Sequence, residues 1–133
     1  MSITYVAIGI LINENNEILI EKNSTSTHFK GLWQFPGGKL EQNETPYVAL
    51  ERELKEELNI KTNKEHASPI LFVEYELKDI EKQYVLFFYI CKKWDGEINN
   101  NLNQEIKWVS LEDLKNMPIL PYNKPVINKL YDL

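Results

Sequence analysis

The segment from Thr45 to Asn59 constrains this chain most, because its residue pattern fits a helix with one apolar and one charged flank. Thr45 can accept a hydrogen bond from a first-turn amide, and Pro46 suits the first turn, where no amide proton is needed. Tyr47, Leu50, Leu54 and Leu58 then recur at helical spacing and form a single apolar stripe. Asn59 follows as the residue best able to replace glycine in a left-handed C-cap. At about 100° per residue, Glu53, Glu56 and Glu57 fall within an arc of roughly 100° beside that stripe. Ala49 falls in the same arc, where its small side chain is expected to leave room for a ligand. Glu51 and Lys55 point towards solvent.

Between Glu41 and Glu57 six carboxylates (Glu41, Glu44, Glu51, Glu53, Glu56, Glu57) face two cations, Arg52 and Lys55, so this stretch supplies −4 of the chain's net −5. Like charges at i,i+3 and i,i+4 repel, and desolvation beside an apolar border strengthens the penalty. A solvated face with local cation partners relieves it. So does a hard divalent cation, which takes carboxylate oxygens. Gly37-Gly38 just ahead of the helix favours the second, since paired glycines let the backbone approach a ligand closely.

Around this helix the chain alternates strands and short helices. Ile3–Ile12 and Glu17–Lys22 are expected as partner strands joined by Asn13-Glu-Asn-Asn16, a polar turn tolerant of positive φ. Asn23–Lys30 reads as a loop, and Leu32–Pro36 as a short strand that Pro36 and Gly37-Gly38 stop. Pro69–Leu77 and Gln83–Lys93 are two more strands, joined by the charged turn Lys78–Lys82. A polar loop from Trp94 through Asn103 precedes a last short strand, Ile106–Val109. Ser110 with Asp113 marks a short helix start. Pro121–Leu133 holds a final helix with Val126, Ile127, Leu130 and Leu133 inward. Elements in this order suggest one α+β or α/β layered domain.

With 133 residues, 43% hydrophobic and 26% charged, the chain has material for one core. Its negative charge gives no general attraction for a nucleic-acid polymer or an anionic membrane. The longest apolar runs, such as Val85–Cys91, fall far short of the ~20 residues that span a bilayer. No secretory leader pattern opens the chain, so a cytoplasmic protein is expected. Cys91, the lone cysteine, lies in an apolar run and reads as a buried structural thiol.

The segment Gly38-x5-Glu44-x7-Arg52-Glu53-Leu54-x-Glu56-Glu57-x-Asn59-Ile60 resembles the Nudix box, G-x5-E-x7-R-E-U-x-E-E-x-G-U with U aliphatic. Only the last glycine departs, replaced by Asn59, which tolerates the same cap conformation. The likeness covers 1–133 as a single domain with the box at 38–60, and is greatest to the MutT subfamily. Gly31-Leu-Trp-Gln-Phe-Pro-Gly-Gly-Lys39 resembles its phosphate-side approach to the box, and Pro121–Ile127 the segment carrying its base-reading asparagine.

The resemblance implies an α/β/α sandwich with a mixed sheet. It also implies hydrolysis, with Mg²⁺ or substituting Mn²⁺, of a nucleoside triphosphate to monophosphate and pyrophosphate. For this subfamily the substrate is 8-oxo-dGTP, cleared from the nucleotide pool before misinsertion. Glu53, Glu56 and Glu57 would hold metal with the Gly37 carbonyl. Arg52 would orient the carboxylates and Glu44 would support the loop–helix geometry. The general base stays open among Glu105, Glu53 and water activated directly by the cation; Glu105 is also a candidate ligand. Asn123 matches the base-reading position, where an amide that donates and accepts suits the 8-oxoguanine edge. Its alternative is a turn asparagine before Pro125. His28 and Phe35 match nucleoside-site positions, with Gln34, Pro36, Gly37 and Gly38 beside them. Lys39 either touches phosphate or is solvated. Asn23 stands where the subfamily has arginine, which leaves selectivity open. Trp33 and Tyr75 read as packing residues. A monomer is expected. The competing functions are a Nudix pyrophosphatase for CTP or 5-methyl-CTP, and a non-catalytic recognition module of the same fold.

Overall fold

Odd and even residues of the central strands serve two different cores, and that alternation builds the sandwich. In the computed structural model, which describes residues 2–24 and 28–132, β1 (Ser2–Leu11) lies at the centre of a four-stranded sheet. It pairs antiparallel with β4 (Gly37–Lys39) and parallel with β6 (Lys82–Cys91), whose other edge carries β5 (Ala67–Leu77). A second sheet sets β2 (Ile18–Lys22) between β3 (Trp33–Gln34) and β7 (Ile106–Val109).

Ala7 and Leu11 of β1, Leu19 of β2, and Tyr89 and Cys91 of β6 face α1 (Pro46–Leu58) and bury its Leu50, Leu54 and Leu58. Each of those leucines contributes about 1.5–3 kcal/mol by leaving water. Ile8, Ile10, Ile18, Ile20, Leu86 and Phe88 face the opposite way. They pack with α2 (Leu111–Leu114) and α3 (Lys124–Leu130) through Leu114, Val126, Ile127 and Leu130. The fold is therefore α/β/α with mixed strand directions. No helix among the described residues is long and apolar enough to cross a membrane.

The helix signals hold in detail. The Thr45 hydroxyl accepts from the Val48 amide at 3.3 Å, and Asn59 adopts the left-handed conformation with φ 58°. Ser110 caps α2 by accepting from Asp113 N–H.

Several expectations are corrected. β1 and β2 are not ladder partners; one bridge, Ile12 to Ile18, joins them before they enter separate sheets. Parallel pairing with β6 along all of β1 wins over the local hairpin. Gly37-Gly38 does not merely stop a strand but forms β4, with Ala7 opposite Gly38 and Ile8 opposite Gly37. The expected strand Leu32–Pro36 shrinks to Trp33–Gln34. Ala49 is fully buried with Leu50 under the sheet and leaves no room for a ligand. The last helix begins as a 3₁₀ turn, Pro121–Asn123, and ends at Leu130; Leu133 lies outside the described residues.

Candidate active site

Arg52 organises the acidic flank. Its Nε and Nη2 donate to the two Glu44 carboxylate oxygens at 2.7 and 2.8 Å, a two-pronged pair. Nη2 also donates to the Lys39 carbonyl at 2.9 Å, while Nη1 reaches Glu53 at 2.8 Å and Glu56 at 3.3 Å. One guanidinium thus ties β4 to α1 and fixes Glu53.

The Arg52 hydrogen bonds, aided by the Glu41 amide, hold the Glu44 carboxyl down to about 2, below its ordinary 4.5. Between pH 4.5 and 2 the unfolded chain therefore binds the proton that folded Glu44 refuses. Stability from this group is complete above that window and lost as pH falls through it. Thermal melts should show wild type losing more melting temperature between pH 5 and pH 2 than Glu44→Gln; parallel losses would refute the assignment.

The other two carboxylates differ sharply. Glu56 is exposed, whereas Glu57 is buried. Burial, and next the neighbouring Glu21 carboxyl, push the Glu57 carboxyl above the usual carboxylate range. The Gly37 N–H donates to Glu57 and opposes that shift, yet Glu57 Oε2 is buried without a partner. Among the described residues no three acidic, histidine or cysteine side chains converge tightly enough to hold a metal as they stand. Arg52 engages Glu53 and Glu56, and Glu57 turns inward. The donor chemistry nevertheless fits a hard divalent cation: carboxylate oxygens, one of them buried and unpartnered. Glu105 is exposed just before β7, with its side chain 3.9 Å from Lys22 Nζ.

A cavity of about 540 Å³ opens beside this flank. His28, Gln34 and Phe35 line it on one side, and Gly37, Gly38 and Lys39 on the side nearest α1. Asn123, 1% exposed, reaches into it. Its Oδ1 accepts the Phe35 N–H at 3.4 Å, and its Nδ2 is buried without a partner. Tyr84 and Tyr122 form a wall that no sequence motif announced. Tyr122 meets Phe29 and Tyr75 at 5.5 Å between ring centres, and burial pushes its phenol up to about 12, so it stays neutral. Asn23 and Pro36 do not line the cavity. Asn23 is buried and donates to Gln34 at 3.1 Å, and the Pro36 carbonyl accepts from Gly9 N–H at 2.9 Å. A larger surface cleft of about 730 Å³ lies by Lys61, Lys92 and Trp94. None of the buried unpartnered polar atoms among the described residues opens into it.

The family model described as NUDIX domain matches residues 3–130. The chain belongs to the Nudix family. Within that family it is 40% identical over 125 residues to an 8-oxo-dGTP diphosphatase of Escherichia coli K12, covering 94% of each chain. It is 26% identical over 121 residues to a CTP pyrophosphohydrolase of the same organism, covering 90% of this chain and 86% of that one. Among solved structures, the E. coli ORF135 protein superposes with a TM-score of 0.85 at 25% identity, covering 100% of this chain and 91% of that one. Glu21 is the buried carboxyl beside Glu57 that the sequence reading missed. Its one signal was a carboxylate on the α1-facing side of an otherwise apolar strand.

Proposed function

We propose that this Nudix protein hydrolyses 8-oxo-dGTP to 8-oxo-dGMP and pyrophosphate. The observation that carries the reading is Asn123: a buried amide with an unpartnered Nδ2, in a cavity whose far wall is the Gly37-Gly38 backbone against Glu53. One volume thus offers a base-reading group at one end and an acidic, phosphate-side group at the other. Asn123 Nδ2 can donate to the O6 of an 8-oxopurine, and Oδ1 keeps a lone pair for the oxidised N7–H. Phe35 and Tyr122 flank the base, and the Gly38–Lys39 backbone leads the phosphates towards α1.

Glu53, Glu56 and Glu57, with the Gly37 carbonyl, would hold Mg²⁺, which when bound neutralises phosphate charge and favours ionisation of the attacking water. Arg52 keeps Glu53 oriented. Water attacks the β-phosphorus, its new P–O bond replacing the bridge to the α-phosphate, so the monophosphate leaves and pyrophosphate forms.

Pyrophosphate release should be measured from 8-oxo-dGTP, dGTP, CTP and 5-methyl-CTP, with and without Mg²⁺. The expected result is Mg²⁺-dependent turnover that favours 8-oxo-dGTP. Asn123→Ala should lower kcat/KM for 8-oxo-dGTP by about 10- to 100-fold, the value of one or two buried hydrogen bonds. Equal turnover of 8-oxo-dGTP and dGTP would refute the substrate assignment. A second reading, a pyrophosphatase for CTP or a methylated CTP, is favoured by Asn23, which is engaged by Gln34 rather than lining the cavity. The same panel decides it.

A further inference from the structure

Glu21 and Glu57 are the buried carboxylates among the described residues, at 4% and 6% exposure, and they meet across the interface between β2 and α1. On β2, Ile18 and Ile20 face one core and Leu19 the other, so Glu21 occupies a place on Leu19's side. An apolar residue there would simply extend the α1 core. A carboxyl costs desolvation, and its side-chain partners are Gln34 and Glu57.

Those partners form a rail. Asn23 Nδ2 donates to Gln34 Oε1 at 3.1 Å, and Gln34 Nε2 donates to Glu21 Oε1 at 3.1 Å. Glu21 shares a hydrogen bond with Glu57, whose Oε2 is left buried and unpartnered. Pairing of Glu21 opposite Gln34 in the β2–β3 ladder fixes the middle of the rail on backbone. Gln34 also lines the nucleoside cavity.

We propose that Glu21 is a positioning residue for the cation-binding carboxylates, held by Gln34 and Asn23 and itself holding Glu57, so that cavity and acidic flank form one hydrogen-bonded unit. The proposal rests on the reading that α1 holds a divalent cation. A cation arriving at Glu57 gains a second nearby carboxylate that needs no reorientation. Outer partners of this kind typically set metal affinity by 10- to 100-fold. Because Gln34 belongs to both parts, nucleoside in the cavity and cation at Glu57 affect each other's affinity by the same factor.

The test is Mn²⁺ binding by the whole protein without nucleotide, followed by electron paramagnetic resonance, together with thermal melts. Glu21→Gln keeps size and a hydrogen bond to Glu57 but removes a carboxylate. It should bind Mn²⁺ at least about tenfold more weakly while melting within a few degrees of wild type, so that the loss is not one of folding. Gln34→Met, which keeps both carboxyls and frees Glu21, should weaken Mn²⁺ about threefold or more. Wild-type Mn²⁺ affinity in both variants overturns the proposal, and if Glu21→Gln fails to fold, Gln34→Met decides alone. Normal Mn²⁺ responses with no turnover on the nucleotide panel would sink the substrate reading and leave this one standing. A wild-type protein that binds no Mn²⁺ sinks both.

Discussion

Glu53→Gln is expected to lower pyrophosphate release by at least about two orders of magnitude while the protein melts within a few degrees of wild type. The amide has the shape of the carboxylate and can still accept from Arg52 Nη1, which lies 2.8 Å from Glu53 Oε1. Packing should therefore survive. What disappears is a negative oxygen at the junction of α1 and Gly38, where the polyphosphate and its cation would meet the protein. Steady-state kinetics at saturating Mg²⁺, paired with a melt, separates the outcomes. Turnover equal to wild type would mean that Glu53 does no chemistry, and no turnover in either protein would be the signature of a recognition module on the same fold.

The helix that carries Glu53 was legible because its signals are local. Thr45, Pro46 and Asn59 act on hydrogen bonds within a turn of themselves, and Leu50, Leu54 and Leu58 repeat at a period no strand shares. Strand partners were less so. The Asn13–Asn16 turn forms, with Asn16 at φ 59°, yet the strands it joins diverge. Their partners lie 11 to 91 residues away, and only the assembled sheets select them. The acidic flank was likewise visible as spacing, whereas its division into Glu53 fixed by Arg52, Glu56 in solvent and Glu57 turned inward required the neighbours. Glu21 escaped notice because a lone carboxylate at the end of Ile18-Leu-Ile20 reads as a strand edge until α1 is laid over it. Asn23 was named but its partner was not legible: a position expected to face nucleotide donates to Gln34.

The two adjacent glycines should separate folding from chemistry. Gly37 sits at φ 151°, and a Cβ there would overlap the Ala7 carbonyl oxygen and lie 2.8 Å from Ile8 Cα. Those atoms belong to β1, the central strand, and cannot yield without opening the β1–β4 ladder. Gly37→Ala should thus destabilise by about 3 kcal/mol, combining backbone strain with overpacking, and lower the melting temperature by roughly 10 °C. At Gly38 the obstacle is different in kind. A Cβ would stand 2.5 Å from both Glu53 carboxylate oxygens, the far end of a flexible side chain. That carboxylate can swing away, so Gly38→Ala should fold with a melting temperature lowered by only a few degrees. It should nevertheless lose about 100-fold in kcat, since a shift of about 1 Å in a reacting group is enough for that. Melts and kinetics on both variants test the split. Equal losses of stability would show that Gly38, like Gly37, serves the backbone; full activity in Gly38→Ala would show that Glu53 does not need the place that the missing side chain leaves it.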